Sequence, residues 1–353
     1  MIVAPGSTIG IIGGGQLGRM LAVAAAQLGY KCHVLDPNPD GPAAQVSAHF
    51  TRAAYDDVGA LKAFGDSVDV ATYEFENLPV GPLEVLGDKL RPSTRSLAIA
   101  QDRAKEKAFI EQCGGRVAAW REIATSEDVA AAVRELGCPV VLKTRRWGYD
   151  GKGQAWAHAN DQAGAAWSAI GEEPAVAESG VDFFAEFSVI IARWADGRHA
   201  FWDSAENEHG EGILRSSTVP SSEQVAVQIA EARAAALRIA EALGHVGVLT
   251  VEFFASREGP LVNEIAPRVH NSGHWTIEGA VTSQFEQHIR AICGLPPGTT
   301  GLVARGAVMD NLIGDDVNRW PELVAQPDLH VHIYGKGEAR PGRKMGHVTR
   351  VTP

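Results

Sequence analysis

Cysteine is scarce in this sequence, with 4 among 353 residues. Cys32, Cys113, Cys138 and Cys293 lie far apart and form no C-x-x-C pair. A zinc ribbon needs paired cysteines, and a small disulfide scaffold needs them at much higher density. The cysteine content therefore argues against both classes and is typical of a protein that works in a reducing cytoplasm.

Long apolar runs and an excess of positive charge are also missing. No run reaches the roughly 18 apolar residues of a membrane span, and Met1 to Ser7 lacks the basic start of a signal peptide. Lys and Arg number 32 against 43 Asp and Glu, a net charge of −11, which disfavours nucleic acid and anionic membranes as partners. We expect a cytoplasmic enzyme of two or three domains, in which a phosphorylated ligand binds at a local basic site.

The first part of the chain alternates strand and helix patterns, which predicts a parallel sheet. Thr8 to Ile12 has the pattern of a strand, three glycines follow, and Gln16 to Leu28 has the pattern of a helix. Gly13-x-Gly15-x-x-Gly18, with Asp36 ending the next strand, is typical of a dinucleotide site, so a NAD-dependent dehydrogenase is one interpretation. The same turn places other anions at a helix N-terminus in proteins without redox chemistry.

Two carboxylates are predicted to face each other across a β-hairpin. Residues 246–266 have strand patterns on both sides of a turn at Arg257-Glu258-Gly259. If the hairpin is centred on Glu258, Glu252 lies opposite Glu264, with Cβ atoms about 5 Å apart. Such carboxylates repel unless a cation lies between them, and oxygen ligands favour Mg²⁺. A register shifted by one residue, or an ion pair with Arg268, would remove the need for a metal.

A glycine-rich loop at 148–154 follows an apolar strand that ends at Lys143. Glycines let backbone N–H groups surround a phosphate, and Lys152 adds a positive charge. Trp147 and Tyr149 in the same segment favour a mobile lid over a surface loop without function. The segment has no G-K-[ST] sequence and is not a P-loop of the Walker type.

Two more segments are rich in polar or basic residues. The segment from Arg268 to Thr276 places His270 and His274 four residues apart, but Asn271-Ser272-Gly273 between them favours a substrate loop over a zinc site. The C-terminal segment from Tyr334 onward has several cations and a single acid, Glu338, which indicates either an anion-binding loop or a solvated tail. Its cations are Lys336, Arg340, Arg343, Lys344 and Arg350.

Taken together, these segments resemble the ATP-grasp superfamily, and within it the ligases that carboxylate an aminoimidazole ribonucleotide in purine biosynthesis. The resemblance covers essentially the whole chain. Its motifs are IIGGGQLG at 11–18, YEFEN at 73–77, GYDGKGQ at 148–154, NEIAPRVHNSGH at 263–274 and PGRKMGH at 341–347. It implies an α/β and α+β protein with an ATP-grasp fold. The expected domains are a Rossmann-like domain at 1–100, an ATP-grasp domain at 101–298 with a lid at about 115–185, and a small β-rich domain at 299–353.

The resemblance implies a reaction of ATP and bicarbonate with 5-aminoimidazole ribonucleotide through carboxyphosphate, catalysed by a homodimer. Glu252 and Glu264 would hold Mg²⁺. The residues expected around ATP are Arg103, Lys143, Gly148, Tyr149, Asp150, Gly151, Lys152, Gly153, Gln154, Glu178, Ser179, Gly180, Val181, Glu186, His209, Asn263 and Glu264. The residues expected around the ribonucleotide and bicarbonate are Gln16, Leu17, Glu76, Tyr149, Lys152, His270, Asn271, Ser272, Lys336, Arg343 and Lys344.

Catalytic roles are expected for Asp150, Lys344 and Arg268. Asp150 would accept the proton of the attacking amine, and Lys344 would stabilise the charge of the carboxylate. Two alternatives accompany this interpretation. The first is a related ATP-grasp ligase, such as a formate-dependent glycinamide ribonucleotide transformylase or a biotin carboxylase. The second is the NAD-dependent dehydrogenase.

Overall fold

The computed structural model describes residues 2–148 and 152–353. The N-terminal part contains β1 (Thr8–Ile12), α1 (Gln16–Gln27), β2 (Lys31–Leu35), β3 (His49–Thr51), α2 (Val58–Asp66), β4 (Val70–Tyr73), α3 (Val80–Leu83) and α4 (Thr94–Ala100). Its strands form a parallel sheet in the order β3-β2-β1-β4. The predicted strand, glycine turn and helix are confirmed, because the apolar strand is buried and α1 buries Leu21 and Ala25 against it.

A lid-like unit follows, with its own sheet. Helix α5 (Arg103–Gln112) precedes this unit, which comprises β5 (Trp120–Ile123), α6 (Ser126–Leu136), β6 (Val140–Thr144), β7 (Gln154–Ala157), α7 (Ala163–Ala169) and β8 (Ala175–Ser179). The antiparallel order is β5-β8-β6-β7, and α6 and α7 bury Val133 and Trp167 against it. Lys143 of β6 pairs with Gln154 of β7, so the glycine-rich loop connects two paired strands.

The remaining strands form one large sheet that continues to the C-terminus. Its elements are β9 (Phe183–Arg193), β10 (His199–Phe201), β11 (Ala205–Gly210), β12 (Ile213–Val219), α8 (Glu223–Ala226), α9 (Ile229–Leu243), β13 (Gly247–Ser256), β14 (Gly259–Ala266), α10 (Thr276–Gly279), α11 (Gln284–Ile292), β15 (Gly306–Ile313), α12 (Trp320–Val324), β16 (Leu329–Ile333) and β17 (Lys344–Thr352). The strand order is β14-β13-β9-β11-β12-β15-β17-β16, and β10 pairs with β9. The expected C-terminal β-rich segment therefore extends this sheet through β12 and β15. The predicted domain boundaries stay a prediction.

The core positions these units around a common junction. One buried cluster joins α1 and β1 of the N-terminal sheet to α11 and β13 of the large sheet, through residues such as Leu21, Val248 and Ile289. Helix α5 lies between the lid and the large sheet and buries Phe109 and Ile110 with the latter. None of the helices in the described part of the chain is long and apolar enough to cross a membrane.

Candidate active site

The N-terminal glycine turn is already occupied by carboxylates of the protein itself. Gly15 donates its backbone N–H to Glu74 Oε1 at 2.9 Å, and Gly18 donates to Glu74 Oε2 at 3.2 Å. Gly14 donates to Asp36 Oδ2 at 2.5 Å. A dinucleotide would need these same donors for its pyrophosphate. The structure therefore argues against the dehydrogenase interpretation.

Two adjoining cavities lie where the N-terminal sheet, the lid and the large sheet meet. The larger, of about 740 Å³, is called the substrate cavity here; predicted substrate residues line it, namely Gln16, Leu17, Glu76, Lys152, His270, Asn271, Lys336, Arg343 and Lys344, together with Arg268 and Gly148. The smaller, of about 340 Å³, is called the nucleotide cavity; predicted ATP residues line it, namely Arg103, Lys143, Lys152, Gln154, Glu178, Ser179, Val181, Glu186, His209, Asn263 and Glu264, together with Glu252. Most of the predicted residues thus separate into two spatial groups, but Gly148, predicted to contact ATP, lines only the substrate cavity.

A shared wall separates the two cavities. The residues that line both are Arg103, Lys152, Glu264, His270 and Lys344. Three of these are cations and one is a carboxylate of the predicted magnesium pair. A small anion held at this wall would contact a ligand in either cavity.

Some predicted site residues are not on the cavity surfaces. Gly153 and Gly180 do not line either cavity, and Ser272 is fully buried, where its hydroxyl contacts His270 Nδ1 at 2.9 Å. A Cβ on Gly153 would lie 2.5 Å from Thr144 Oγ1, so this glycine is needed for close packing of the loop against β6. Tyr149, Asp150 and Gly151 lie outside the described residues.

The predicted pair of facing carboxylates is confirmed by the strand register. Glu252 of β13 pairs with Glu264 of β14, which excludes a register shifted by one residue at this point. A β-bulge follows, because Phe253 pairs with Val262 and leaves Asn263 as the extra residue. Burial and the neighbouring Glu264 raise the pKa of Glu252 to about 7. A bound cation would relieve the repulsion between these two carboxylates.

The contacts of the pair fit an oxygen-coordinated cation. Glu252 Oε1 lies 3.2 Å from His270 Nε2, and Glu264 Oε2 accepts from Arg103 Nη1 at 3.2 Å. Arg268, the alternative partner, is paired with Glu76 instead. In the described part of the chain, no group of three or more His, Cys, Asp or Glu could hold a metal ion. The two carboxylates and the neighbouring Asn263 amide are oxygen donors, the kind that a hard divalent cation prefers.

Glu178 at the end of β8 is the opposite case, a buried carboxylate between two cations. Lys143 Nζ lies 3.0 Å from Glu178 Oε2, and Lys107 Nζ lies 3.1 Å from Glu178 Oε1. Burial alone would raise the pKa of Glu178, but Lys143 and Lys107 lower it to about 2. Burial also lowers the pKa of Lys143, which Glu178 partly offsets. Glu178 is therefore fully ionised at neutral pH.

The substrate cavity contains a second ion pair and a neutral histidine. Glu76 pairs with Arg268; burial alone would raise the pKa of Glu76, but Arg268 lowers it. Burial, with the nearby cations Arg268 and Lys344, lowers the pKa of His270 well below its ordinary value. His270 is therefore uncharged at neutral pH and can both donate and accept a hydrogen bond at the shared wall.

The C-terminal cations divide between the site and the surface. Lys336, Arg340, Arg343 and Lys344 line the substrate cavity. Arg350 points elsewhere and donates to Asp328 Oδ2 at 2.9 Å. The segment between β16 and β17 is hydrogen-bonded to the N-terminal part, because Gln45 Nε2 donates to the carbonyl of Gly335 at 3.1 Å. This placement favours the anion-binding interpretation over a solvated tail.

Several residues of the site were missed by sequence reasoning. Helix α5 supplies buried Glu106, which accepts from the backbone N–H of Ile265 at 2.7 Å, and buried Lys107. Asp102 caps this helix and also accepts two hydrogen bonds from Arg145 of the lid. The available signal was the spacing of Arg103 and Lys107, which puts two cations on one helix face.

Comparison with known proteins places the chain in a class. An ATP-grasp domain model matches residues 108–285. A ribonucleotide synthetase preATP-grasp domain model matches residues 6–101, and a phosphoribosylaminoimidazole carboxylase C-terminal domain model matches residues 307–353. The fold and site thus define an ATP-grasp ligase, as the sequence predicted.

Individual relatives refine this class. The N5-carboxyaminoimidazole ribonucleotide synthase of Brucella melitensis biotype 1 is 50% identical, over 99% of this chain and 97% of its own length. An ADP complex of an N5-carboxyaminoimidazole ribonucleotide synthetase superposes with a TM-score of 0.94 at 42% identity, covering 99% of this chain and 94% of that one. The Aspergillus clavatus N5-carboxyaminoimidazole synthase, solved with ADP and 5-aminoimidazole ribonucleotide, gives a TM-score of 0.92 at 30% identity and the same coverage. This chain belongs to the N5-carboxyaminoimidazole ribonucleotide synthase family.

Proposed function

We propose that this chain carboxylates 5-aminoimidazole ribonucleotide to N5-carboxyaminoimidazole ribonucleotide, with ATP and bicarbonate as co-substrates, in purine biosynthesis. Family membership supports the ATP-dependent carboxylation and disfavours the transformylase and biotin carboxylase alternatives. The observation that carries the proposal in this molecule is the wall shared by the two cavities. An intermediate made from ATP on one side of that wall can react with a ribonucleotide on the other side.

The nucleotide cavity is suited to activating bicarbonate. A bicarbonate oxygen attacks the γ-phosphorus of ATP, the bond to the β-phosphate oxygen breaks, and ADP leaves with the electron pair. Negative charge increases on the transferred group, and the cations Arg103, Lys143 and Lys152 around this cavity oppose it. The product of this step is carboxyphosphate.

The substrate cavity is suited to the second step. The exocyclic amine of the ribonucleotide attacks the carbon of carboxyphosphate, the carbon–oxygen bond to phosphate breaks, and inorganic phosphate leaves. Lys336 and Arg343 would bind the ribonucleotide phosphate, and Arg268 and Lys344 would stabilise the carboxylate that forms. Closure of the loop between β6 and β7 would exclude water, which competes with the amine for carboxyphosphate.

Mg²⁺ is part of this proposal, with Glu252 and Glu264 as the residues that would hold it. Bound there, it would offset the charge of the phosphate oxygens during transfer. The donor set of two facing carboxylates next to an amide suits a hard cation.

The amine must lose a proton, and we assign its acceptance to Asp150. Asp150→Asn should lower turnover while leaving the affinity for ATP nearly unchanged, because the amide keeps the size of the side chain but is not a base. Unchanged turnover would remove Asp150 from the mechanism.

Labelled bicarbonate tests the reaction itself. With ¹⁸O-bicarbonate, ATP and 5-aminoimidazole ribonucleotide, one ¹⁸O should appear in the inorganic phosphate, because a bicarbonate oxygen stays on the transferred phosphorus. Formate with glycinamide ribonucleotide should release no ADP above background. Unlabelled phosphate, or ADP release with formate, would contradict the proposal. The homodimer and the cytoplasmic location stay predictions; sedimentation equilibrium would test the first against a chain mass of 37.5 kDa.

A further inference from the structure

Lys107 is a buried lysine to which the reaction described above gives no role. Its side chain is 1% exposed, and its Nζ lies 3.1 Å from Glu178 Oε1. It lines neither cavity, whereas its partner Glu178 lines the nucleotide cavity. Burying an ammonium group is costly unless a partner compensates it. A lysine in this position therefore needs an explanation beyond packing.

The charge balance around Glu178 explains why a buried lysine is present there. Two ammonium groups, on Lys107 and Lys143, share this single carboxylate, so the three groups carry one excess positive charge. The two cations differ in access: the Lys143 side chain is 12% exposed and lines the nucleotide cavity, whereas Lys107 is closed off. The excess charge is therefore presented to a ligand through Lys143.

We propose that Lys107 is a positioning residue that helps Lys143 bind the phosphates of the nucleotide. Lys107 neutralises Glu178, and this leaves the Lys143 ammonium available for a phosphate oxygen. The inference rests on the proposed function, since it requires ATP in the nucleotide cavity. Without Lys107, Glu178 and Lys143 form a closed one-to-one pair. A phosphate oxygen must then compete with Glu178 for Lys143.

The placement of α5 supports this role. Arg103 and Lys107 lie four residues apart on the same face of α5, and each contacts a carboxylate that lines the nucleotide cavity. Lys143 also points toward the predicted magnesium pair, with its Nζ 3.5 Å from Asn263 Oδ1. Lys143 thus contacts both Glu178 and Asn263, and Lys107 contacts the other carboxylate oxygen of Glu178.

A merely structural role for Lys107 makes a different prediction. If Lys107 only holds the end of β8 in shape, its loss weakens binding of the adenosine part and of the phosphates together. If it acts through Lys143, its loss weakens binding of the phosphates alone. ADP and adenosine therefore distinguish the two roles as probes.

The test measures binding of ADP and of adenosine to the wild-type chain and to Lys107→Met, with calorimetry for ADP and ligand-observed NMR for adenosine. ADP affinity should fall about tenfold or more, the effect of losing one charge-assisted contact, while adenosine affinity stays within about twofold. Lys107→Arg keeps the charge and should restore ADP affinity. An equal loss for both ligands, or no loss for either, would overturn the proposal.

A second measurement covers the case in which Lys107→Met does not fold. A structure of the wild-type chain with ADP should show Lys143 Nζ in contact with a phosphate oxygen and Lys107 Nζ still on Glu178. Lys143 without a phosphate contact, or Lys107 turned away from Glu178, would overturn the inference. Neither result affects the carboxylation assay of the wild-type chain, so failure of this inference and failure of the proposed function are distinguishable.

Discussion

Glu178 and Glu252 are two largely buried carboxylates in the same cavity, and their pKa values shift in opposite directions. Burial raises the pKa of both. Lys143 and Lys107 overcome this at Glu178 and lower its pKa to about 2, whereas Glu264 adds to burial at Glu252 and raises its pKa to about 7. The region around Glu178 thus has two cations in direct contact with its carboxylate, whereas at Glu252 the nearby Lys344 and His209 do not outweigh burial and Glu264.

The opposite shifts suit the two parts of the proposed ligand, a nucleotide and its metal ion. The Glu178 region has an excess of positive charge, which suits phosphates. The Glu252–Glu264 region brings two carboxylates together, and Arg103 offsets this negative charge in part by direct contact with Glu264. A nucleotide with Mg²⁺ carries both signs and complements both regions at once.

Neutralising Glu252 in the negative region should reduce activity more than any other change considered below. Glu252→Gln should lower ADP formation by about 10³-fold, because metal-assisted charge stabilisation is worth several kcal/mol. The same change should raise the free energy of unfolding of the metal-free protein by about 1 kcal/mol, since it removes a cross-strand repulsion. Coupled ADP assays and urea unfolding with and without Mg²⁺ measure the two effects.

Glu208→Gln is the matched control for that substitution, because Glu208 is an exposed carboxylate on β11 of the same sheet. It should leave both activity and unfolding nearly unchanged. If Glu252→Gln loses activity but also loses stability without Mg²⁺, the pair is not under electrostatic strain, and the contrast with Glu178 does not hold.

Acid should remove the stability that ionised Glu178, in the positive region, contributes to the fold. A folded-state pKa of about 2 against an ordinary 4.5 means that Glu178 stabilises the fold above pH 4.5. This contribution is lost as the pH falls from 4.5 through 2, and it amounts to roughly 3 kcal/mol. Urea unfolding across the acidic range should therefore show a steeper loss of stability for the wild-type chain than for Glu178→Gln.

A surface ion pair gives the reference for this measurement. Glu135 pairs with exposed Arg121, and Glu135→Gln should leave the slope of stability against pH close to that of the wild-type chain, since exposed pairs contribute little. Parallel curves for the wild-type chain and Glu178→Gln would show that the two lysines do not stabilise the ionised form.

The sequence predicted the negative region better than the positive one, for physical reasons. Strand alternation placed Glu252 opposite Glu264, and the pairing is correct there although the turn is not centred on Glu258, because Ser256 pairs with Gly259. The bulge at Asn263 adds the one residue that restores the predicted register. The role of Lys107 could not be predicted, because a lysine on a helix is ordinarily exposed, and its burial depends on how the lid packs on α5.

The glycine turn also shows what the sequence could predict and what it could not. Its sequence predicted a helix N-terminus that binds an anion, and the local strand and helix were right. The anion is Glu74, from the loop after β4, which the sequence pattern of the turn does not specify. Long-range packing therefore decides whether such a turn binds a ligand or a side chain of the protein.

Glu74 is a third buried carboxylate, which backbone N–H groups hold in place of cations, and disturbing it should have the weakest consequence. A Cβ on Gly15 would lie 2.5 Å from Glu74 Oε1, so Gly15→Ala should force the carboxylate off its N–H partners and cost about 1–3 kcal/mol of unfolding free energy. Gly81→Ala is the control, because nothing lies within 4 Å of its added Cβ, and alanine is favoured over glycine in a helix such as α3. If thermal unfolding shows equal stability for the two variants, Glu74 is not fixed by the turn, and the turn's donors are free for a ligand after all.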